Sequence, residues 1–598
     1  MFQIKRNCLR CLHVCNLLMS FLILSTNADH GNIVKVKQGK VSGIELSVKS
    51  GYVTAYLGIP YGEPPTGRLR FKKTEQRKPW HGVLKADKFG KSCFQNREEK
   101  FAQFPGTEMF LVNNEMSEDC LHLNVWVPSS KPKDAHVMVF IHGGGFESGT
   151  TSLDIYDGRV LAYAENVIVV SMNYRVGAFG FLALPGHKDA PGNAGLFDQR
   201  LALQWVSENI EAFGGNPDSV TIFGHSAGAA SVGFHLISPE SYVYYNRAIV
   251  QSGAVTSNWA LNSEERAKSL TLKLAEALGC PQTDNDAIIT CLINADTIDL
   301  TEKQLFAKEP YALTQFLPTV DHDFLVDVPE NIIGQSMKRT EIMLGITKDD
   351  GNPFTLLGSS DFNIKTESSI ASEDLQERLK RFFPSAGDLG VQSILLQYKD
   401  WEDGNNGEKN REAMELILRD YYFACPVKSF ARYAVEHQNN VFFYEYDHRS
   451  STDPWPEWMG ALHGAELPML FGKPFIKKGR YTKSELLFSK RMMKFWANFA
   501  RTGSPNVDTE DGFVWPLYSL KDEKYAVLNL NGSEVNQKLS MRNCQFWNFF
   551  FPSLLKLVPQ VYPGKADSGK KGNIVENLMN LLSLPERKVP WLKVEKFC

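Results

Sequence analysis

The sequence predicts an α/β fold: a large, mostly parallel central sheet with helices on both faces. Three observations predict it. Near-continuous apolar runs such as Val137–Ile141 and Val167–Met172 have the composition of strands covered on both sides. Stretches with helical spacing, such as Gly192–Trp205, alternate with them. Finally, the β-branched and apolar run Val220–Phe223 passes through Gly224-His-Ser-Ala-Gly228 directly into a helical segment, Ala227–Leu236. Ser226 stands at the apex of that strand–turn–helix junction.

The chain opens with Lys5, Arg6 and Arg10, the apolar run Leu12–Leu24 and the small and polar residues Ser25–Ala28. That order predicts a secretory signal peptide over 1–28, cleaved near Ala28. The apolar run is short for a membrane span, and no later segment is long and apolar enough to be one. Seven cysteines follow the signal: Cys93, Cys120, Cys280, Cys291, Cys425, Cys544 and Cys598. Six can pair in an oxidising compartment and one is left over. Asn531-Gly-Ser533 is the single Asn-x-Ser/Thr sequon. A net charge of −3 over 598 residues gives no reason to expect nucleic acid or an anionic membrane as partner.

After the signal, Ile33–Val41 and Gly51–Ile59 read as short strands of an N-terminal sheet, and Pro60–Gly67 as a rigid Pro/Gly loop. Ser117–Trp126 alternates apolar residues and reads as a strand. The buried run Val137–Ile141 then enters His142-Gly-Gly-Gly-Phe146. Three glycines after a strand let backbone N–H groups converge, which is how an oxyanion is held. Arg247–Gly253, Ile342–Ile346 and Val441–Tyr446 are further strands, while Ser263–Thr301 is helical. The strand at 342–346 ends in Thr347-Lys-Asp-Asp-Gly351, the place for an acid in this architecture. His463 begins another apolar segment. Serine, then acid, then histidine is the hydrolase order. The raised serine at a helix N-terminus is a nucleophile elbow, beside N–H groups that stabilise negative charge.

Longer motifs carry a resemblance. Phe213-Gly-Gly-Asn-Pro-Asp-Ser-Val-Thr-Ile-Phe-Gly-His-Ser-Ala-Gly228 and Glu118-Asp-Cys-Leu-His-Leu-Asn-Val-Trp126 fit the two signatures of the type-B carboxylesterases. Trp455-Pro-Glu-Trp-Met-Gly460, before His463, is similar to the cholinesterase branch. The match covers nearly all of residues 33–556, so 29–556 is expected to be one catalytic domain of α/β-hydrolase fold, with 557–598 as a tail. The resemblance implies a secreted serine esterase with Ser226 as nucleophile and His463 as general base. It places the oxyanion hole at Gly144, Gly145 and Ala227. The third triad member becomes Asp350, where the family usually has glutamate, with Asp349 as fallback. It also implies the disulfides Cys93–Cys120, Cys280–Cys291 and Cys425–Cys544 and a salt bridge between Arg70 and Glu118. The chemistry needs no metal or organic cofactor, only a small ester substrate and water.

The resemblance breaks at the choline site. Phe110 stands where cholinesterases place a tryptophan that holds the quaternary ammonium, and phenylalanine is the weaker cation–π partner. His225 replaces the glutamate before the serine. Pro353, followed by Phe354, replaces an aromatic residue after the acid. Trp259 is kept. Ala312 and Thr314 fall in the acyl-pocket stretch Tyr311–Pro318, which lacks the paired phenylalanines of acetylcholine-specific enzymes. The expectation is a roomy acyl site and a poor choline site. Two rivals stand beside the general esterase: a true cholinesterase with a rebuilt choline site, and a non-catalytic adhesion protein of neuroligin type. For the tail, a helix over Asn573–Leu582 is expected. Cys598, following Trp591, predicts either a disulfide-linked homodimer or a disordered tail with a capped thiol.

Overall fold

A computed structural model describes residues 32–561, apart from the short segments 49–50, 97–103, 308–312, 358–361, 363–367, 478 and 507–511. The expected signal peptide, Ala312, the tail helix and Cys598 lie outside the described residues. Among the described residues fourteen strands run in chain order as β1 Ile33–Val36, β2 Gly39–Ser42, β3 Ile44–Val48, β4 Gly51–Pro60, β5 Val83–Lys85, β6 His122–Pro128, β7 Ala135–Ile141 and β8 Ile168–Met172, then β9 Gly215–His225, β10 Arg247–Gln251, β11 Glu341–Thr347, β12 Asn440–Tyr446, β13 Lys524–Asn529 and β14 Gly532–Gln537. An 11-stranded sheet has the order β14-β13-β12-β11-β10-β9-β7-β8-β6-β4-β3. From β8 to β13 every neighbouring pair is parallel. Both edges are antiparallel.

One expectation is corrected here. The two N-terminal segments do not share a sheet. β1 and β2 form a hairpin that joins β5 in a separate 3-stranded sheet, whereas β4 belongs to the antiparallel edge of the large one. Each segment is apolar enough for a strand, but the sheet it joins is settled by partners far away in sequence.

The strand period of two sorts the core onto the two faces of the sheet. On β7, Val137, Val139 and Ile141 join one cluster, and Met138 and Phe140 the other. The first cluster includes residues of helices α1 (Ala194–Asn209), α2 (Ala227–Leu236), α3 (Gly407–Arg419) and α4 (Cys425–Glu436). The second includes Met492, Phe495, Trp496 and Phe499 of α5 (Lys483–Thr502). Thr482 and Glu485 form a reciprocal capping box at the start of α5, satisfying two of its end groups.

Covalent and ionic ties hold the loops above the sheet. Disulfides join Cys93 to Cys120, Cys280 to Cys291 and Cys425 to Cys544, as the resemblance implies. The Arg70 guanidinium meets both Glu118 oxygens, at 2.5 and 2.9 Å, and also donates to carbonyls of Ile293 and Ala295. A fork-to-fork pair of this kind fixes orientation as well as distance. Arg175 and Asp198 make a second such pair in full burial, with both contacts at 2.7 Å. Among the described residues no helix is long and apolar enough to cross a membrane.

Candidate active site

The site is built on loops at the carboxyl ends of the parallel strands. β9 ends at His225 and α2 begins at Ala227, so Ser226 is the entire turn. Its φ of 58° and ψ of −123° lie outside the regions that side chains ordinarily occupy, a strain of roughly 1–3 kcal/mol. The surroundings leave no room to relax it. A Cβ on Gly224 would strike the Gly228 carbonyl, and one on Gly228 would strike the carbonyl of Ile141. The Ser226 N–H donates to the Gln251 carbonyl of β10 at 2.8 Å. Strand and helix are thus pressed together, and Ser226 is lifted into a cavity of about 260 Å³.

The glycine loop after β7 forms the facing wall. Gly144 and Gly145 have φ of 118° and 63°, the left-handed region that favours glycine. Behind them His142 donates from Nδ1 to the Gly143 carbonyl at 2.9 Å and stacks on Tyr174, whose hydroxyl donates to the His142 carbonyl at 2.8 Å. Burial pushes the His142 imidazole down to about 4, so it stays neutral. Ala227 opens α2, where helix geometry leaves the first N–H groups without an intrahelical acceptor.

The neighbouring acids after β11 divide two tasks. His463 Nδ1 and Asp350 Oδ1 lie 2.6 Å apart, with Asp350 fully buried. Because the carboxylate accepts there, Nδ1 carries the hydrogen and Nε2 is left as the acceptor. The other Asp350 oxygen accepts from the Thr347 N–H at 3.2 Å. Asp349 instead accepts from the Ala461 N–H at 2.8 Å and so grips the segment that carries His463. The His463 ring packs against His225, Phe423 and Phe354, with centroids 4.4, 4.6 and 5.3 Å away.

The cavity wall brings together Phe110, His225, Trp259, Thr314, Phe354 and His463 with Ser226 and Gly143–Gly145. Ala312 is outside the described residues. Burial, and then the neighbouring His463, hold His225 well below the ordinary histidine value, so the ring beside Ser226 is neutral. Asn531 is exposed on the hairpin between β13 and β14. No group of three metal-ligating side chains occurs among the described residues.

Sequence reading missed two residues beside the site. Phe423 sits on a π-helical turn, Asp420–Ala424, inserted between α3 and α4. A one-residue insertion turns the apolar stripe by about 100° over a single turn, too short a break to read from one sequence. Glu466, three residues after His463, is fully buried and accepts from Gln251 Nε2 at 3.0 Å. Burial, and then Asp350, raise its carboxyl to about 7. The folded value exceeds the ordinary glutamate value of 4.5, so the native state binds more protons between the two, and stability falls as pH rises through that window. The loss amounts to about 3 kcal/mol. Glu466→Gln keeps the acceptor for Gln251 without the charge. Its stability advantage over the parent is expected to grow from pH 5 to pH 8 in denaturant melts, and an advantage independent of pH refutes the assignment.

A strained serine between β9 and α2, facing a glycine loop and a histidine held by a buried carboxylate, defines the α/β-hydrolase class. The chain belongs to the carboxylesterase family, whose sequence model matches residues 30–547. It is 45% identical to the cholinesterase of Mus musculus, over 90% of this chain and 89% of that protein. It is 44% identical to the acetylcholinesterase of Danio rerio, over 91% and 92% of the two chains, and 44% identical to that of Bungarus fasciatus, over 88% of each. The protein is a serine carboxylic ester hydrolase.

Proposed function

We propose that this hydrolase works through a Ser226–Asp350–His463 triad and prefers neutral carboxylic esters to choline esters. The observation that carries the triad is the 2.6 Å contact of His463 Nδ1 with buried Asp350, on a ring that shares one cavity with Ser226. His463 Nε2 takes the Ser226 proton as Oγ attacks the ester carbonyl. The N–H groups of Gly144, Gly145 and Ala227 stabilise the oxyanion. His463 then protonates the departing alcohol, leaving an acyl-enzyme on Oγ. Water, deprotonated by the same nitrogen, releases the carboxylic acid and restores the serine. Residues 29–556 act as one catalytic domain, exported behind the signal at 1–28 and glycosylated at Asn531. Cys598 links two chains.

The preference rests on the alcohol side of the cavity. A quaternary ammonium is held by aromatic faces and a nearby anion. Phe110 offers the weaker face, and His225 is a neutral ring where cholinesterases carry a carboxylate. A second reading, true cholinesterase action, is favoured by the names of the relatives and by Trp259 in the wall.

Paired kinetics separate the two. Butyrylthiocholine and its neutral isostere, the 3,3-dimethylbutyl thioester of butyrate, are offered to the purified full-length protein. The expected ratio of kcat/KM, choline over neutral, is one or below, and His225→Glu is expected to raise it roughly tenfold by restoring an anion. A strong choline preference in the wild type establishes the second reading.

A further inference from the structure

The π-helical turn Asp420–Ala424 is anchored at successive residues. Asp420, fully buried, accepts from the hydroxyl of Tyr398 at 3.0 Å, from Ser540 Oγ at 2.9 Å and from Asn543 Nδ2 at 2.7 Å. The Tyr421 carbonyl accepts from Asn258 Nδ2 at 3.2 Å, and that of Tyr422 from Trp259 Nε1 at 2.8 Å. Cys425, which follows the turn, is bonded to Cys544. A π-helical turn is unfavourable in itself and concentrates at functional sites. Every one of these ties fixes a neighbour of Phe423, whose own ring is left to face the cavity. That ring lies 4.6 Å from the His463 ring, tilted by 36°, on a catalytic histidine whose other neighbours are His225 and Phe354.

We propose that Phe423 is a positioning residue acting through His463: the π-helical turn holds its ring face against the imidazole, where it steadies the imidazolium that forms in the transition state. The inference rests on the reading of His463 as the base. The negative face of an aromatic ring attracts a cation within about 6 Å of its centroid, more strongly where water is excluded. Phe423 is buried, at 1% exposed. The titratable groups around the imidazole are Asp350 on the β11 loop, His225 on the elbow and Glu466 on its own segment. His225 is neutral, and Glu466 titrates near 7. Phe423 itself carries no proton, so its contribution is a fixed background to all of these.

The test is the pH dependence of kcat/KM for phenyl butyrate, measured on the full-length protein. Activity falls on the acid side as His463 becomes protonated. A ring that favours the imidazolium raises the midpoint of that fall, so removing the ring lowers it. Phe423→Leu is expected to move the acid limb down by roughly half a pH unit and to reduce kcat about fivefold, with KM little changed. Phe423→Tyr, which keeps the ring, restores both. Replacement of Phe423 by pentafluorophenylalanine keeps the shape but reverses the polarity of the face, and shifts the limb in the same direction as leucine. A limb that stays in place in the leucine and pentafluoro proteins overturns the role of Phe423, because filling space alone does not depend on ring polarity. Absence of any acid limb in the wild type overturns the assignment of His463 as base instead.

Discussion

Ser226→Ala is expected to lower ester turnover by on the order of 10⁵–10⁶-fold while the protein still folds. The size of the loss follows from how the elbow is made. The backbone at Ser226 is set by the collision-tight packing of Gly224 and Gly228 against neighbouring carbonyls and by the N–H bond to Gln251, none of which involves the hydroxyl. Alanine therefore inherits the same strained turn and the same glycine loop, and what disappears is the one atom that attacks. Residual rate above water then reflects binding and oxyanion stabilisation alone. The measurement is steady-state hydrolysis of a neutral butyrate ester, with fluorophosphonate labelling of both proteins and circular dichroism as the control for folding. A variant that keeps more than a hundredth of wild-type activity places the nucleophile elsewhere. Equal inertness of wild type and variant, with no labelling of either, points to a fold kept for binding.

Asp350→Asn is the second large effect, about 10⁴-fold in kcat. An amide nitrogen in place of one carboxylate oxygen can donate to His463 Nδ1. The proton then moves to Nε2, and the ring faces the serine as a donor with no lone pair to accept. The partner experiment is Asp349→Asn. Its side chain grips the Ala461 N–H through one oxygen, an acceptor that asparagine retains, so activity is expected within about tenfold of the parent. The two substitutions change the same functional group at adjacent positions. A reversed ranking hands the triad role to Asp349.

That adjacent pair also marks where reading the sequence ran out. An acid after the β11 strand was legible because a buried apolar run ended in Asp349-Asp350-Gly351, but the run cannot say which of two neighbours turns inward. Only the pairing of the strand's end with Ala461, more than a hundred residues on, turns Asp349 away. The elbow and the glycine loop were legible for the opposite reason. Their chemistry requires particular residues at fixed short spacing within each motif, Gly224-x-Ser226-x-Gly228 in one and Gly143–Gly145 in the other. The parallel centre of the sheet showed itself as near-continuous apolar runs. Its antiparallel edge did not, since β4 looks like any short strand and its membership depends on the distant β6. Glu466 was invisible because its partner Gln251 lies 215 residues away.

The placement of Phe110 on a loop outside the sheet has an evolutionary consequence for the proposed site. Ser226, His463 and Asp350 answer to the register of the buried sheet, where one slip misaligns everything. Phe110 rides on a short 3₁₀ turn inside the Cys93–Cys120 loop, which the disulfide closes whatever its contents. On the proposed reading, mutations there are expected to alter what enters without touching what reacts. Such a molecule can abandon one class of ester for another in single steps, each intermediate remaining a working enzyme.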